Sequence, residues 1–268
     1  MFEFIQSFIL GIIEGITEWL PISSTGHMIL FNEIINNAGS FLQEQLYLYV
    51  IQLGAILAVV TLFFNKLNPF SPKKSRKEKQ STWQMWFKVV VACIPAGVIG
   101  ILLNDLMEKF ENWMVVSATL IIYGIAFIVA EKIQKKTTVD SIDKQSYKKA
   151  LTIGVFQVLS IIPGTSRSGS TILGGMFAGC SRTVAAEFSF FLAIPVMVGI
   201  SLIKIATYDG VITAYNLGLL AVGFIISYIV SMIAIKFLMN FVKNHSFSGF
   251  GWYRIILGIL VISYFLIK

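Results

Sequence analysis

Long runs of apolar residues, separated by short polar segments, dominate the pattern along this chain. A helix that crosses a bilayer needs about 20 mostly apolar residues. Uncharged runs that reach or approach this length span residues 46–64, 89–103, 113–130, 188–203, 217–235 and 255–267. The pattern therefore predicts an all-α, polytopic membrane protein with six transmembrane helices.

Two further apolar stretches, each with a central proline, are interrupted by a polar cluster. In the first of them, Glu14 and Glu18 lie one helical turn apart on the same face. Pro21 is expected to end that helix, and Ser23 and Ser24 are good N-caps for a second one. Ionisable groups are costly inside a membrane, so such a cluster predicts a functional site.

Composition supports this class of protein. Hydrophobic residues make up 56% of the 268 positions, charged residues make up 13%, and the mean hydropathy is +0.78. A soluble domain carries about 25% charged residues.

No basic segment precedes the first apolar stretch, so we expect no cleavable signal peptide. Cys93 and Cys180 are isolated and are expected to pack in the core.

The net charge of +7 does not indicate a nucleic-acid partner, because the basic residues are distributed as expected for the loops of a membrane protein. Basic residues crowd two loops, within 66–79 and 132–149, and we expect Arg182, Lys236, Lys243 and Arg254 to flank later spans. The alternate loops carry the acidic residues Glu33, Glu44, Asp105, Glu108, Glu111 and Asp209. The positive-inside rule therefore places the basic loops in the cytoplasm and makes membrane lipids the expected surroundings.

These loop charges also predict the path of the two interrupted stretches. The stretch around residue 21 is expected to enter and leave from outside, and the stretch around residue 163 from the cytoplasm. We therefore expect two re-entrant helical hairpins of opposite orientation in addition to the six spans.

An internal repeat is predicted from the same two stretches. Residues 11–26 align without a gap with residues 154–169, which pairs Ser23 with Ser166. Few pairs are identical, but the shared helix–break–helix pattern and the opposite orientation favour inverted-topology repeats. We expect a single integral-membrane domain, 1–268, in which the repeats cover about 1–131 and about 150–268.

The second polar cluster, residues 163–171, has the composition of an anion site. It combines Gly, Ser and Thr with Arg167 at the start of a predicted helix, where N–H groups and hydroxyls can donate to phosphate. Two helix N-termini of about +0.5 charge each and Arg167 supply about two positive charges. A diphosphate monoester carries about three negative charges, so a divalent metal cation, Mg²⁺ or Ca²⁺, held by Glu14 and Glu18 would complete the match.

Other roles for these side chains stay open. Arg167 could be the buried partner of a glutamate in a transporter core, and the two glutamates could couple transport to protons or sodium ions. His27 could be a hydrogen-bonded interior histidine. For Thr25 and Ser170, packing or capping is the favoured interpretation. Acid, hydroxyl, imidazole and arginine together favour phosphoryl chemistry.

Three motifs carry a resemblance to a known family: Glu14-x-x-x-Glu18, Pro21-Ile-Ser-Ser-Thr-Gly-His27 and Pro163-Gly-Thr-Ser-Arg-Ser-Gly. Over essentially its whole length, the chain resembles the bacitracin-resistance-type undecaprenyl-diphosphatases. The resemblance implies hydrolysis of the polyprenyl diphosphate lipid undecaprenyl diphosphate to undecaprenyl phosphate and phosphate. That reaction recycles the lipid carrier of bacterial cell-wall synthesis and confers bacitracin resistance. The resemblance also implies a divalent cation and a site that opens to the external face of the bacterial inner (plasma) membrane.

A second class of membrane lipid phosphatase fits less well. The type 2 phosphatidic acid phosphatases share a Ser-Gly-His-like tripeptide, but they need a second catalytic histidine after their Ser-Arg motif. The other histidine of this chain, His245, lies in a predicted cytoplasmic loop. That assignment therefore fails.

We expect Ser24 to be the nucleophile, with Glu18 as its base or as a metal ligand. Glu14 is expected to be a second metal ligand, and His27 the acid/base partner. Arg167 is expected to stabilise the transferring phosphoryl group. The expected substrate-binding side chains are Ser23, Thr25, Ser166, Ser168 and Thr171.

Several alternatives stay open at this point. His27 could itself be the nucleophile, and the two glutamates could act only as acid and base. A secondary transporter or lipid flippase that uses the same polar core is the alternative function. Whether the protein forms a homodimer is also open.

Overall fold

The computed structural model describes residues 1–35, 40–108, 110, 112–133 and 137–267, except for the side chains of 32–35 and 104–108. Among the charged residues used above, the side chains of Glu33, Asp105, Glu108 and Glu111 lie outside this part. The α-helices are α1 (Phe2–Thr17), α2 (Ser24–Ile35), α3 (Gln45–Leu62), α4 (Phe64–Leu67), α5 (Arg76–Glu108), α6 (Trp113–Ile133), α7 (Tyr147–Val158), α8 (Arg167–Phe177), α9 (Arg182–Ala206), α10 (Ala214–Asn244) and α11 (Ser248–Ile267). Short 3₁₀ helices cover Phe41–Gln43, Ile142–Lys144 and Leu159–Ile161. No strand occurs in the described ranges.

Six of these helices are long and apolar enough to cross a membrane: α3, α5, α6, α9, α10 and α11. This result confirms the six predicted spans. Their outer faces expose large aliphatic side chains to the surroundings, among them Ile101, Leu102, Ile203, Ile233, Ile256 and Leu260. Extended apolar surface of this kind is costly in water and favourable in lipid, so the fold is that of a multi-pass membrane protein.

The shorter helices form two pairs, α1 with α2 and α7 with α8. Ser40, which follows α2, donates a hydrogen bond to Glu3 at the start of α1 (2.9 Å). In the second pair, the Gly179 carbonyl after α8 accepts from the amide of Thr138 ahead of α7 (2.9 Å). Each pair therefore returns near the point where it starts. That both pairs enter and leave the bilayer on one side stays a prediction.

Loop contacts show that the two pairs start at different ends of the molecule. The start of α1 lies with Ser40, close in sequence to Glu44, whose carboxylate accepts a hydrogen bond from Tyr208 (2.6 Å). The start of α7 lies with Gly179, close in sequence to Arg182, which forms an ion pair with Glu131 (2.5 Å). α3 runs from the first end to the second. The two helix pairs therefore approach the centre of the protein from opposite directions.

The chain breaks of the two pairs share a local geometry. Ser23 (φ 74°) and Ser166 (φ 71°) are the non-glycine residues with positive φ in the described part of the chain. The Ser23 hydroxyl accepts from the amide of Gly26 (3.4 Å), and the Ser166 hydroxyl accepts from the amide of Gly169 (3.2 Å). Both serines therefore cap the helix that follows, as an N-cap does. The two positions are those that the sequence alignment pairs.

Close helix crossings also match between the two pairs. A Cβ at Gly11 would lie 2.8 Å from the Gly223 carbonyl oxygen of α10, and one at Gly154 would lie 2.3 Å from the Ala92 carbonyl oxygen of α5. Only glycine allows backbones to approach this closely. Because Gly11 aligns with Gly154, the crossings fit the predicted repeat. The repeat boundaries stay a prediction.

Candidate active site

An ion pair joins the two chain breaks at the centre of the protein. Arg167 Nη2 donates to Glu18 Oε1 at 2.8 Å, and the two side chains are only 12% and 9% exposed. The hydroxyl of Ser168 adds a second link by donating to the Glu18 carbonyl oxygen (3.0 Å). Residues that are remote in sequence therefore form one polar core.

The second carboxylate oxygen of Glu18 contacts the predicted nucleophile. Ser24 Oγ donates to Glu18 Oε2 at 3.2 Å, and Ser24 is partly exposed at the start of α2. A serine hydroxyl becomes an effective nucleophile when an adjacent base can accept its proton. The geometry therefore supplies a hydroxyl, its acceptor and, through Arg167, a positive charge on the far side of that acceptor.

Glu14 lies one turn before Glu18 and is 5% exposed. Among the described residues, its carboxylate has no hydrogen bond or ion pair. A buried, unpaired carboxylate requires a proton or a cation nearby. Within the described part of the chain, no group of three or more His, Cys, Asp or Glu side chains could hold a metal ion. Both carboxylate oxygens of Glu18 already contact Arg167 and Ser24, so a divalent cation held by Glu14 and Glu18 stays a prediction.

Contacts with the protein occupy much of the Arg167 guanidinium. Nη1 donates to the Ser189 carbonyl oxygen (2.9 Å), and the guanidinium lies 5.6 Å from the centroid of the Trp19 ring. Nε is buried and has no hydrogen-bond partner in the described structure. The side chain is therefore held rigidly, with one donor unused. A two-point contact with phosphate through both Nη atoms would require a change of partners.

Three of the five residues expected to bind substrate are buried, and two of them, Ser168 and Thr171, contact other groups in the core of the protein. Ser168 is 1% exposed and bonded to Glu18, and Thr171 is 0% exposed. Thr171 Oγ1 contacts Ser189 Oγ (2.6 Å) and donates to the Arg167 carbonyl oxygen (2.9 Å). These contacts fix the first turn of α8, and a role for either hydroxyl in substrate binding stays a prediction.

The remaining hydroxyls of the two motifs differ in exposure. Ser23 is buried and caps α2, whereas Ser166 is partly exposed and caps α8. Thr25 is partly exposed, and its hydroxyl makes no hydrogen bond within the described structure. Ser170 Oγ donates to the Tyr123 hydroxyl (3.2 Å), which fits the packing role expected for it. Thr25 and Ser166 are therefore the most accessible of the predicted substrate-binding residues.

His27 lies one turn into α2 with both ring nitrogens in hydrogen-bond contacts. Nδ1 lies 2.7 Å from the Ser23 carbonyl oxygen, and Nε2 lies 2.7 Å from the Tyr253 hydroxyl. Tyr253 comes from α11, and the sequence analysis did not select it. His245, by contrast, stacks on Phe241 with ring centroids 4.5 Å apart at the end of α10. His27 therefore contacts the first chain break and α11, whereas His245 packs on a neighbouring ring at the end of α10.

Arg254 was expected to flank a membrane span, and that expectation is wrong. Its side chain is 0% exposed. Nη1 donates to the Pro21 carbonyl oxygen (3.2 Å), and Nη2 donates to those of Gly164 and Thr165 (both 3.0 Å). The guanidinium also lies 5.4 Å from the Tyr123 ring centroid. Breaking a helix frees carbonyl groups that need donors, and Arg254 supplies donors to both breaks.

These features define a class of protein: a multi-pass membrane protein with a buried acid–arginine–serine core between two broken helix pairs. Comparison with known sequences identifies the family. Residues 7–260 match the family model described as Bacitracin resistance protein BacA, and the chain belongs to this family.

Curated relatives are similar over nearly their full length. The undecaprenyl-diphosphatase of Limosilactobacillus fermentum is 54% identical, covering 99% of this chain and 98% of the relative. That of Lactobacillus delbrueckii subsp. bulgaricus is also 54% identical, with 97% of each covered. The Enterococcus faecalis undecaprenyl-diphosphatase is 53% identical, again with 97% of each covered.

Proposed function

We propose that this protein is an integral-membrane phosphatase that hydrolyses undecaprenyl diphosphate to undecaprenyl phosphate and phosphate. The contact of Ser24 with Glu18, and of Glu18 with Arg167, carries the proposal. These contacts bring a hydroxyl, a carboxylate and a guanidinium together, which supports the roles of nucleophile, base and cation for them. The chain belongs to a family whose curated members carry the name undecaprenyl-diphosphatase. The reaction recycles the lipid carrier of cell-wall synthesis and thereby confers bacitracin resistance.

The contacts of Ser24 and Glu18 support the following mechanism. Ser24 Oγ attacks the terminal phosphorus while its proton passes to Glu18 Oε2, and the bond to the bridging oxygen breaks with its electron pair leaving on undecaprenyl phosphate. Water then hydrolyses the phosphoserine and releases phosphate. Arg167 stabilises the charge that develops on the phosphoryl oxygens, an electrostatic role that dominates phosphoryl transfer. His27 exchanges protons with the reacting oxygens.

A divalent cation belongs to this proposal. Glu14 and Glu18 would hold it, and when bound it neutralises phosphate charge. The unpaired, buried carboxylate of Glu14 supports its presence. The protein's own residues bind and orient the diphosphate, and the apolar helix faces accommodate the polyprenyl chain.

We place the protein in the bacterial plasma membrane with its site open to the external face. The basic residues of 66–79, most of them exposed, lie at the end of α3 opposite to Glu44. The positive-inside rule assigns that basic end to the cytoplasm. The α1–α2 pair, which carries Ser24 and Glu18, starts from the other end and gives substrate access from outside. A homodimer stays a prediction without structural support.

Phosphate release from undecaprenyl diphosphate tests the function directly. Detergent-purified protein, with no membrane gradient, should release phosphate and form undecaprenyl phosphate. The matched control is Glu18→Gln, which keeps the side-chain volume but removes the acceptor charge. A folded protein that releases no phosphate would support the transporter or flippase alternative, because transport leaves the lipid diphosphate intact.

A further inference from the structure

The two hydrogen bonds of His27 determine which nitrogen carries the proton. The Ser23 carbonyl oxygen, 2.7 Å from Nδ1, can only accept. Nδ1 must therefore be the protonated nitrogen, and in the neutral ring Nε2 holds the lone pair. The Tyr253 hydroxyl, 2.7 Å from Nε2, is then the donor. One tautomer satisfies both contacts.

The ring geometry agrees with a hydrogen bond that orients the imidazole. The planes of His27 and Tyr253 are inclined by only 6°, and their centroids are 5.7 Å apart. At that separation the rings meet through their polar atoms, Nε2 and Oη, and not through face-to-face stacking. The position of the phenol therefore determines the orientation of the imidazole.

The backbone position of Tyr253 is itself fixed by its neighbour. Arg254 anchors the same turn of α11 to the carbonyl oxygens of Pro21 and Gly164. Pro21 lies in the break that leads directly into α2. The Tyr253-Arg254 pair of α11 thus holds both the break and the histidine that follows it.

We propose that Tyr253 is a positioning residue that holds His27 in the Nδ1-protonated tautomer and makes Nε2 its working nitrogen. The inference rests on the proposed function and deepens it. Nδ1 is committed to Ser23, so both acid/base action and direct attack on phosphorus must use Nε2. Tyr253 is 44% exposed, so its hydroxyl can turn aside and release Nε2 to a phosphate oxygen or a water molecule.

Kinetics of Tyr253→Phe test the functional half of the proposal. Loss of one orienting hydrogen bond should lower kcat about two- to tenfold while KM stays within about twofold. The matched control is Tyr264→Phe on the same helix: Tyr264 is 36% exposed and has no hydrogen bond in the described structure. That control should keep the kcat of the unmodified protein.

Nitrogen NMR tests the structural half independently of activity. The chain has 2 histidines, so His245→Gln leaves His27 as the single source of ¹⁵N-histidine signals. We expect a protonated Nδ1 and an unprotonated Nε2 that accepts a hydrogen bond. Tyr253→Phe in this background should move the Nε2 signal towards that of a free imine nitrogen, and Tyr264→Phe should leave it in place.

Each departure from this pattern overturns the proposal. Unchanged kcat in Tyr253→Phe denies a functional role, even if the Nε2 signal moves. A lower kcat with an unmoved Nε2 signal means that the loss arises elsewhere in the structure. A protonated Nε2 in the parent variant contradicts the assigned tautomer. If the unmodified protein released no phosphate, the proposed function would fail while the nitrogen spectrum still reported the hydrogen bond.

Discussion

Glu18 and Arg167 lie 149 positions apart in the chain, yet they form a 2.8 Å ion pair between the two helix breaks. Both side chains are nearly excluded from solvent. A buried pair of this kind contributes little net stability, but removal of one partner leaves a buried charge uncompensated, at a cost of about 3–5 kcal/mol. Substitution of either residue is therefore expected to affect both the stability of the core and the proposed reaction.

Arg167→Lys should lose most activity although it keeps the positive charge. A lysine ammonium is a single point donor and cannot reproduce the planar contacts to both Glu18 and the Ser189 carbonyl. We expect kcat to fall by at least about tenfold, measured by phosphate release, with a smaller loss of thermal stability than in Arg167→Ala. Near-normal turnover of the lysine variant would show that the guanidinium geometry is not required.

Arg254→Gln should destabilise the protein more than any exposed basic substitution. The shorter amide cannot reach the carbonyl groups of both breaks, and each buried acceptor left unsatisfied costs about 1–3 kcal/mol. We expect a lower Tm in detergent together with reduced turnover. Lys243→Gln is the control, since exposed Lys243 donates a hydrogen bond to Asn240 and makes no other side-chain hydrogen bond within the described part of the chain. Equal Tm values for the two variants would show that the hydrogen bonds from Arg254 to the two chain breaks do not stabilise the fold.

The case of Arg254 also shows how far sequence reasoning reaches. Hydropathy predicts the six spans because bilayer insertion depends on local composition. The break at Pro21 is likewise local, since proline and a capping serine act on their own backbone. Arg254 and Tyr253 could not be placed in the same way, because the chain breaks that Arg254 contacts and the His27 ring that Tyr253 contacts are remote in sequence. A charge rule that counts basic residues near span ends cannot distinguish a solvated arginine from a buried one.

Thiol labelling tests the orientation in the membrane. In a background without Cys93 and Cys180, an impermeant reagent applied to intact cells should modify Glu44→Cys but not Ser75→Cys. Both positions are exposed, at opposite ends of α3, so the difference reports the membrane side alone. Labelling after cell lysis provides the accessibility control. The reverse pattern would invert the topology and place the site opening towards the cytoplasm.

Metal removal tests the role assigned to the glutamates. Chelation should stop phosphate release, and added Mg²⁺ or Ca²⁺ should restore it, because a cation offsets the repulsion between two carboxylates and the diphosphate. Glu14→Gln should raise the metal concentration needed for half-maximal activity without unfolding the protein, since the Glu14 carboxylate makes no hydrogen bond or ion pair with the described residues. Full activity in the presence of chelator would leave the glutamates as acid/base residues only.

The identity of the nucleophile can be decided by comparing two adjacent serines. Ser24→Ala removes the attacking oxygen and should abolish turnover. Within the described structure, Ser23→Ala removes one hydrogen bond, from the Gly26 amide. Losing one hydrogen bond costs about 0.5–1.5 kcal/mol, or about two- to tenfold in rate if fully expressed in the transition state. A trapped phosphoenzyme should map to the peptide that contains Ser24. His27→Ala should be severe under either mechanism, so it does not discriminate. Substantial turnover of Ser24→Ala, or phosphate label on His27, would assign the attack to the imidazole and leave Ser24 as a phosphate ligand that Glu18 orients.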